Sequence, residues 1–369
     1  MPALGASGRR VSQVAKSALD TPALLVDLDR MEANIAHIAA ACRAHGIAWR
    51  PHFKGHKTIE IARKQIEAGA IGITCAKLGE AEILASARIG GILIANQIVG
   101  PIKMRRLAAL LEKAEVIVSV DSEANVAELA VAAHGTSLRV VIEVNTGMNR
   151  AGVEPGAAVV ALADVIVRYP ALRLVGVMGW EAHTTAIADP VAKEKAVAAA
   201  IILLTGSAAA CRNAGHDMPI VSCGGTGTLP YCVKQPGITE VQVGGAIFND
   251  EHYRTHFNID LPYALTILTT VISRPTPTRV ILDAGRKAIS ADAAFPRALD
   301  FPGVNHMKLS AEHMTLELDA PGDRPSIGER VEFVVGYGDT TVHLHEEIVA
   351  LRNGSVEAVW KVAARGKIK

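Results

Sequence analysis

Eight short apolar runs, rich in β-branched residues, alternate with helical patterns between Ile47 and Gly245, and this alternation constrains the fold more than anything else in the chain. The runs are "IAWRPHF" from Ile47, "GITCA" from Gly72, "ILIAN" from Ile92, "EVIVSV" from Glu115, "LRVVIEV" from Leu138, "LVGVMGW" from Leu174, "PIVSC" from Pro219 and "EVQVGG" from Glu240. The stretches between them, such as "AEILASARI" and "MRRLAALLEKA", repeat their apolar residues at helical spacing. Continuous apolar strands separated by helices belong to a parallel sheet covered on both faces. Eight such units predict a (β/α)8 TIM-like barrel, an α/β fold; a doubly wound sheet would have fewer strands and one glycine-rich turn after the first.

After about residue 255 the pattern changes to strands divided by Pro, Gly and Asp turns, as in "RVILDAG", "RVEFVVGYG" and "EIVALRNGSVEAVWKVA". A C-terminal, mainly β domain over residues 255–369 is expected there, with "RNGS" as a hairpin turn. The reading divides the rest into a flexible lead-in over 1–20, a strand over 21–30 that joins the β domain, and the barrel over 31–254. Asp29 is expected to cap the helix that enters the barrel.

Composition narrows the class of partner. The 38 Lys and Arg nearly balance the 37 Asp and Glu, which argues against nucleic acid or an anionic membrane as main partner. No run reaches the ~20 uninterrupted apolar residues of a spanning helix, and the N-terminus lacks the apolar stretch of a secretory signal. Cys42, Cys75, Cys211, Cys223 and Cys232 show no CxxC spacing. Reduced thiols and a cytoplasmic enzyme acting on a small molecule are expected.

Catalytic groups of such barrels sit in the loops after the strands, and the unusual residues of this chain fall there. The first strand runs into "RPHFKGHK", the fifth into "NTGMNRAG", the sixth into "EAHTT", the seventh into "GGTGT" and the eighth into "GAIFND". Two adjacent glycine turns, Gly224–Thr228 and Val243–Ala246, suit a phosphate group. A lysine facing them suggests a Schiff base with pyridoxal 5'-phosphate, because an amine in a partly desolvated site beside other cations is more nucleophilic. Strand alternation puts Lys54 on the same face as His52, whereas Lys57 already turns into the next helix, so Lys54 is the expected amine. Arg50 and His52 are its expected tuning or positioning groups. Arg150 can hold a phenolate oxygen or a carboxylate through forked hydrogen bonds.

The segments "TPALLVDLDRMEANI", "RPHFKGHK", "NTGMNRAGV", "GGTGT" and "ILDAGRKA" resemble fold-type III pyridoxal-phosphate enzymes, the alanine racemase-like barrels, and within them the D-threonine aldolase and D-serine dehydratase branch. The resemblance runs from about Thr21 to "VWKVAARG". It implies Lys54 as the Schiff-base lysine and Arg150 beside the ring oxygen or the substrate carboxylate. Phosphate binding by Gly225, Thr226, Gly227, Gly244 and Gly245 is implied too, with a homodimer; His52, beside Lys54, is the further residue expected at the cofactor.

The resemblance also implies a divalent metal, Mn2+ or Mg2+, on a His-x-Asp or His-x-Cys pair. Here "VGYGDTTVHLHEE" keeps Asp339 but puts Tyr337 in place of the histidine, with His343 and His345 two apart on an expected strand as substitutes. After the sixth strand, Glu181 or His183 is the expected base on a D-3-hydroxyl. The expected activity is an aldolase that splits D-3-hydroxy amino acids into glycine and an aldehyde. A dehydratase/deaminase, or a racemase with Tyr337 as the base opposite the lysine, is the alternative.

Overall fold

In a computed structural model, the structure describes residues 14–299, 301 and 303–369. By Cα packing the chain forms two units: a β unit over 14–34, Ile247–Thr255 and Asp260–Arg365, and a barrel unit over Ile35–Ala246, His256–Ile259 and Gly366–Lys369.

The elements run in the order β1 Ala23–Asp27, α1 Leu28–Ala44, β2 Ala48–Trp49, α2 Ile59–Glu67, β3 Thr74–Cys75, α3 Leu78–Ser86, β4 Ile92–Ile94 and α4 Pro101–Leu111. There follow β5 Val116–Val120, α5 Glu123–Ala132, β6 Leu138–Glu143, α6 Ala157–Ile166, β7 Leu172–Met178, α7 Pro190–Asn213, β8 Ile220–Cys223, α8 Leu229–Cys232 and β9 Glu240–Val241. After α9, Glu251–Phe257, come β10 Leu265–Thr276, β11 Arg279–Leu282, β12 Arg297–Ala298, β13 Val304–Leu309, β14 Met314–Leu318 and β15 Arg330–Val334. The last are α10 Gly338–Thr341, β16 Glu347–Arg352 and β17 Ser355–Lys361.

Each of the eight apolar runs becomes one barrel strand. β2 to β9 form a parallel sheet in the order β2-β9-β8-β7-β6-β5-β4-β3. Hydrogen bonds from Ile71 N to Trp49 O (2.8 Å) and Thr74 N to Pro51 O (2.9 Å), with a parallel bridge between His52 and Thr74, join the two ends of that order. Leu93, Ile117, Val141, Val175 and Ile220, from five consecutive strands, pack into one cluster. The helices start where side chains satisfy their first amides: Ser122 accepts from Asn125 N, and Asp189, followed by Pro190, accepts from Ala192 N. α7 is long and apolar enough to pass for a membrane span by composition alone. It nevertheless buries Val197, Ile201 and Leu204, and the Lys193 ammonium donates to the carbonyls of Thr185 (2.8 Å) and Phe257 (3.1 Å), as befits a helix packed in the barrel wall.

In the β unit, β1 lies between β10, which it pairs antiparallel, and β16, which it pairs parallel. Ala23, Leu25, Leu268, Leu351 and Val356 form the core of that pairing. β16 and β17 are joined through Asn353 and Gly354, both at positive φ, the conformation that an Asn-Gly hairpin turn requires. Asp27, not Asp29, caps α1: its carboxylate accepts from Arg30 N at 3.0 Å because the strand runs straight into the helix.

The expected lead-in lies outside the described residues as far as residue 13. From Val14 the chain is tied down, with Val14 O accepting from Val356 N (2.9 Å) and the Lys16 ammonium 2.6 Å from Glu332. The segment after the last barrel strand belongs to the β unit, since Glu251 N and His252 N donate to the carbonyls of Val335 and Gly336.

Candidate active site

Where β2 leaves the barrel, each charged residue of "RPHFKGHK" takes a different place. The Arg50 guanidinium is buried against Glu240 of β9, at 2.8 Å from Nη2 to Oε2, and also donates to the Gly91 carbonyl. It joins strands, a correction to the expectation that it tunes the lysine. Lys54 lies in a short turn, Phe53–Gly55, whose preceding residue His52 accepts from Lys54 N through Nδ1 at 3.3 Å. The strand has ended by then, so the turn orients Lys54 and strand alternation does not. Its ammonium stands 5.1 Å from the centroid of the Trp180 ring. Burial, and then the positive charges of Lys54 and Lys57, hold His52 well below its usual pKa, so it stays a neutral acceptor. Lys57 is buried and ion-paired with the fully buried Glu80, which also accepts from Ala76 N (2.7 Å) and Lys77 N (3.2 Å).

The loop after β6 is built by Asn145, whose side-chain oxygen accepts from Gly147 N (3.2 Å) and Asn149 N (3.0 Å). This Asx-type turn presents Arg150, whose guanidinium carbon lies 5.5 Å from the same Trp180 ring. A small pocket opens there, lined by Glu143, Asn145, Thr146, Met148, Arg150 and Trp180.

The two glycine turns meet. Thr226 Oγ1 accepts from Ala246 N at 3.0 Å, linking the loops after β8 and β9. A Cβ on Gly225 would stand 2.7 Å from Nε1 of Trp180, and one on Gly244 would collide with the backbone of His52. Only glycine allows the β9 turn this close to the segment that carries Lys54. The indole N–H of Trp180 is buried without a hydrogen-bond partner among the described residues. Gly227 lies in the same turn as Thr226, and Gly245 begins the turn Gly245–Ile247.

Glu181 and His183, expected as alternative bases, separate. The buried Glu181 carboxylate accepts from the Thr228 hydroxyl and from Gly224 N (3.4 Å). Its pKa is raised by burial, against the pull of these hydrogen bonds. Both oxygens are turned into the glycine loop, so Glu181 holds that loop in shape. His183 is exposed, and its ring lies against Gly147, 3.0 Å from where a Cβ there would stand.

Tyr337 and Asp339 belong to the β unit. The Tyr337 ring makes edge contacts with His252 (5.0 Å) and Tyr253 (5.8 Å), and burial followed by the Asp339 charge raises the phenol's pKa. The phenol also hydrogen-bonds to Tyr253 and Asp339. His343 and His345 lie in and just after the turn Val342–Leu344, not on a strand. Nδ1 of His343 is 3.4 Å from the Asp339 carbonyl oxygen and Nε2 of His345 is 2.6 Å from the Ala288 carbonyl oxygen. They do not form a ligand pair, and no cluster of three or more His, Cys, Asp or Glu suited to a metal occurs among the described residues. Asp339 has the buried Asp250 near it, whose oxygens accept from Gly338 N (2.8 Å) and Tyr253 N (2.8 Å), together with the Tyr337 and Tyr253 phenols, a set that falls short of a Mn2+ or Mg2+ site.

Sequence reasoning passed over Trp180, Glu143 and Gln97. Trp180 ends the sixth apolar run and Glu143 interrupts the fifth, and these positions were the available signals.

The model of the alanine racemase N-terminal domain matches residues 26–252, and a serine dehydratase domain model matches 264–351. D-threonine aldolase of Arthrobacter sp is 33% identical over 354 residues, 94% of this chain and 93% of that protein. The 3-hydroxy-D-aspartate aldolase of Paracoccus denitrificans (strain Pd 1222) is 36% identical over 368 residues, 95% of this chain and 94% of that protein. Among solved structures, D-threonine aldolase from Filomicrobium marinum superposes with a TM-score of 0.94 at 31% identity, covering 99% of this chain and 100% of that one. D-threo-3-hydroxyaspartate dehydratase from Delftia sp. HT23 superposes with a TM-score of 0.86 at 28% identity, covering 94% of this chain and 98% of that one. The strand order of the barrel, the matched family model and near full-length relatives agree that this chain belongs to the alanine racemase N-terminal domain family.

Proposed function

We propose that this chain is a pyridoxal 5'-phosphate-dependent lyase that cleaves D-3-hydroxy amino acids to glycine and an aldehyde. The observation that carries the reading is the meeting of an amine and two glycine turns. Lys54 stands over Trp180, Gly225 packs against the same Trp180, and Gly244 packs against His52, two residues before that lysine. The same amine-and-glycine arrangement, with an unpartnered indole N–H beside it, fits a phosphate ester that carries an aldehyde. The near full-length similarity to two aldolases supports cleavage as the reaction.

Lys54 is the amine that would hold the cofactor through its aldehyde. The turns carrying Gly225, Thr226, Gly227, Gly244 and Gly245 would hold its phosphate, and Glu181 keeps the first of them in shape through Thr228, whose hydroxyl oxygen also accepts from Gly225 N at 3.1 Å. Neutral His52 keeps a further positive charge away from the amine. Arg150 offers its guanidinium to the ring oxygen or to the substrate carboxylate. When bound, the cofactor supplies an electron sink for the substrate's Cα. His183 takes the proton from the 3-hydroxyl; the oxygen becomes a carbonyl, the Cα–Cβ bond breaks, and the electron pair stays on Cα, where a returning proton completes glycine.

No step of this reading uses a metal. The reading includes a homodimer and a cytoplasmic location, the latter supported by five cysteines that are all free and buried.

The test is product analysis after loading purified protein with pyridoxal phosphate and incubating it with D-threonine and D-phenylserine, once with Mn2+ and once with EDTA. Glycine with acetaldehyde or benzaldehyde is expected, at the same rate in both. Loss of activity in EDTA would assign Asp339 to a metal. Keto acid with ammonia would favour the dehydratase reading, and an inverted enantiomer the racemase reading with Tyr337 as base.

A further inference from the structure

Two buried acids at strand ends have arginine partners, and the two pairs differ. Glu240 meets Arg50 at 2.8 Å with both side chains buried, the geometry of an ion pair that holds strands together. Glu143, at the end of β6, is buried too, but its Oε1 lies 4.0 Å from Nη2 of Arg150, whose side chain is 56% exposed. Its other oxygen accepts from the Gln97 amide at 2.6 Å. Burial outweighs the help from Gln97 and Arg150, and nearby Asp121 adds to it, so the Glu143 pKa is raised. A buried carboxylate with such loose compensation costs stability. It sits at the C-terminal end of a barrel strand, where functional groups collect.

We propose that Glu143, oriented by Gln97, is a positioning residue for Arg150. The carboxylate draws a long, exposed side chain onto the face of Trp180 without locking it. One edge of the guanidinium turns toward Glu143, and its remaining N–H donors stay available to an anion in the pocket. When a bound anion displaces water from that pocket, the attraction between Glu143 and Arg150 strengthens because the local dielectric falls. The geometry therefore assigns to Glu143 and Gln97 the placing of the cation that meets a carboxylate or phenolate.

The test is a double-substitution cycle of Glu143→Gln and Arg150→Ala with two readouts. The first, tryptophan emission of the cofactor-free protein, does not depend on the proposed reaction. Trp180→Phe identifies the Trp180 share among the three tryptophans. Glu143→Gln and Arg150→Ala should change that share alike, with no further change when combined. The second readout, steady-state cleavage of D-phenylserine, rests on the proposed lyase reading. Glu143→Gln should raise KM about tenfold with kcat within about threefold, and should change KM less than about twofold in the Arg150→Ala background.

Additive effects in either readout, or an unchanged emission, would overturn the proposal. Glu143→Gln removes a buried charge, so it should melt no lower than the parent; a lowered melting temperature with unchanged emission would assign Glu143 to the fold alone. If the parent turns over no substrate, the lyase reading has failed while the emission cycle still decides the role of Glu143.

Discussion

Lys54→Ala is expected to lower kcat by about four orders of magnitude or more while the protein stays folded, since removing a group that bonds covalently to the reacting system costs rates of that order. The contact of its ammonium with Trp180 at 5.1 Å contributes about 0.5–1 kcal/mol in a half-exposed setting. Circular dichroism and the melting temperature should therefore match the parent, and the visible absorption of the loaded protein should disappear. A variant that kept turnover would move the covalent role to another lysine.

Three residues on, the opposite result is expected. Lys57→Ala removes the partner of Glu80, whose side chain is fully buried and would keep only the backbone amides of Ala76 and Lys77. Breaking a buried ion pair from one side leaves an uncompensated charge and costs about 3–5 kcal/mol. Equilibrium denaturation should show that loss, while cofactor absorption persists wherever the variant is folded. Lys57→Met combined with Glu80→Leu should recover most of the stability, because apolar residues of similar size replace both charges. Equal stability of parent and Lys57→Ala would contradict the pairing seen in the structure. The two lysines of one eight-residue segment are thus separated by experiment: one carries chemistry and the other carries fold.

The barrel was legible because each strand is a continuous β-branched run, and such runs have few alternatives once helices separate them. The glycine turns were legible for a related reason, since paired glycines at consecutive strand ends have no use in a helix or strand interior. What failed to show in the sequence depends on side-chain partners far apart in the chain. That Thr228, 47 residues on, donates to Glu181 is not readable from the segment that carries Glu181. Arg50 reads as a neighbour of Lys54 until Glu240, 190 residues away, claims it. His343 and His345 alternate like strand residues, but the short segment winds into a helical turn, an ambiguity inherent in runs of this length. Trp180 carries no ionisable group to mark it in the sequence, yet its ring organises two cations.

The central claim is that Lys54 bonds to the cofactor beside the glycine turns. Borohydride treatment of the loaded protein fixes a lysine–pyridoxal link permanently, and peptide mass analysis then locates it. A single phosphopyridoxyl group on Lys54, absent when phosphate-blocked or untreated protein is analysed, is the predicted result. The group on Lys57 or any other lysine, or no stable group at all, would contradict the account.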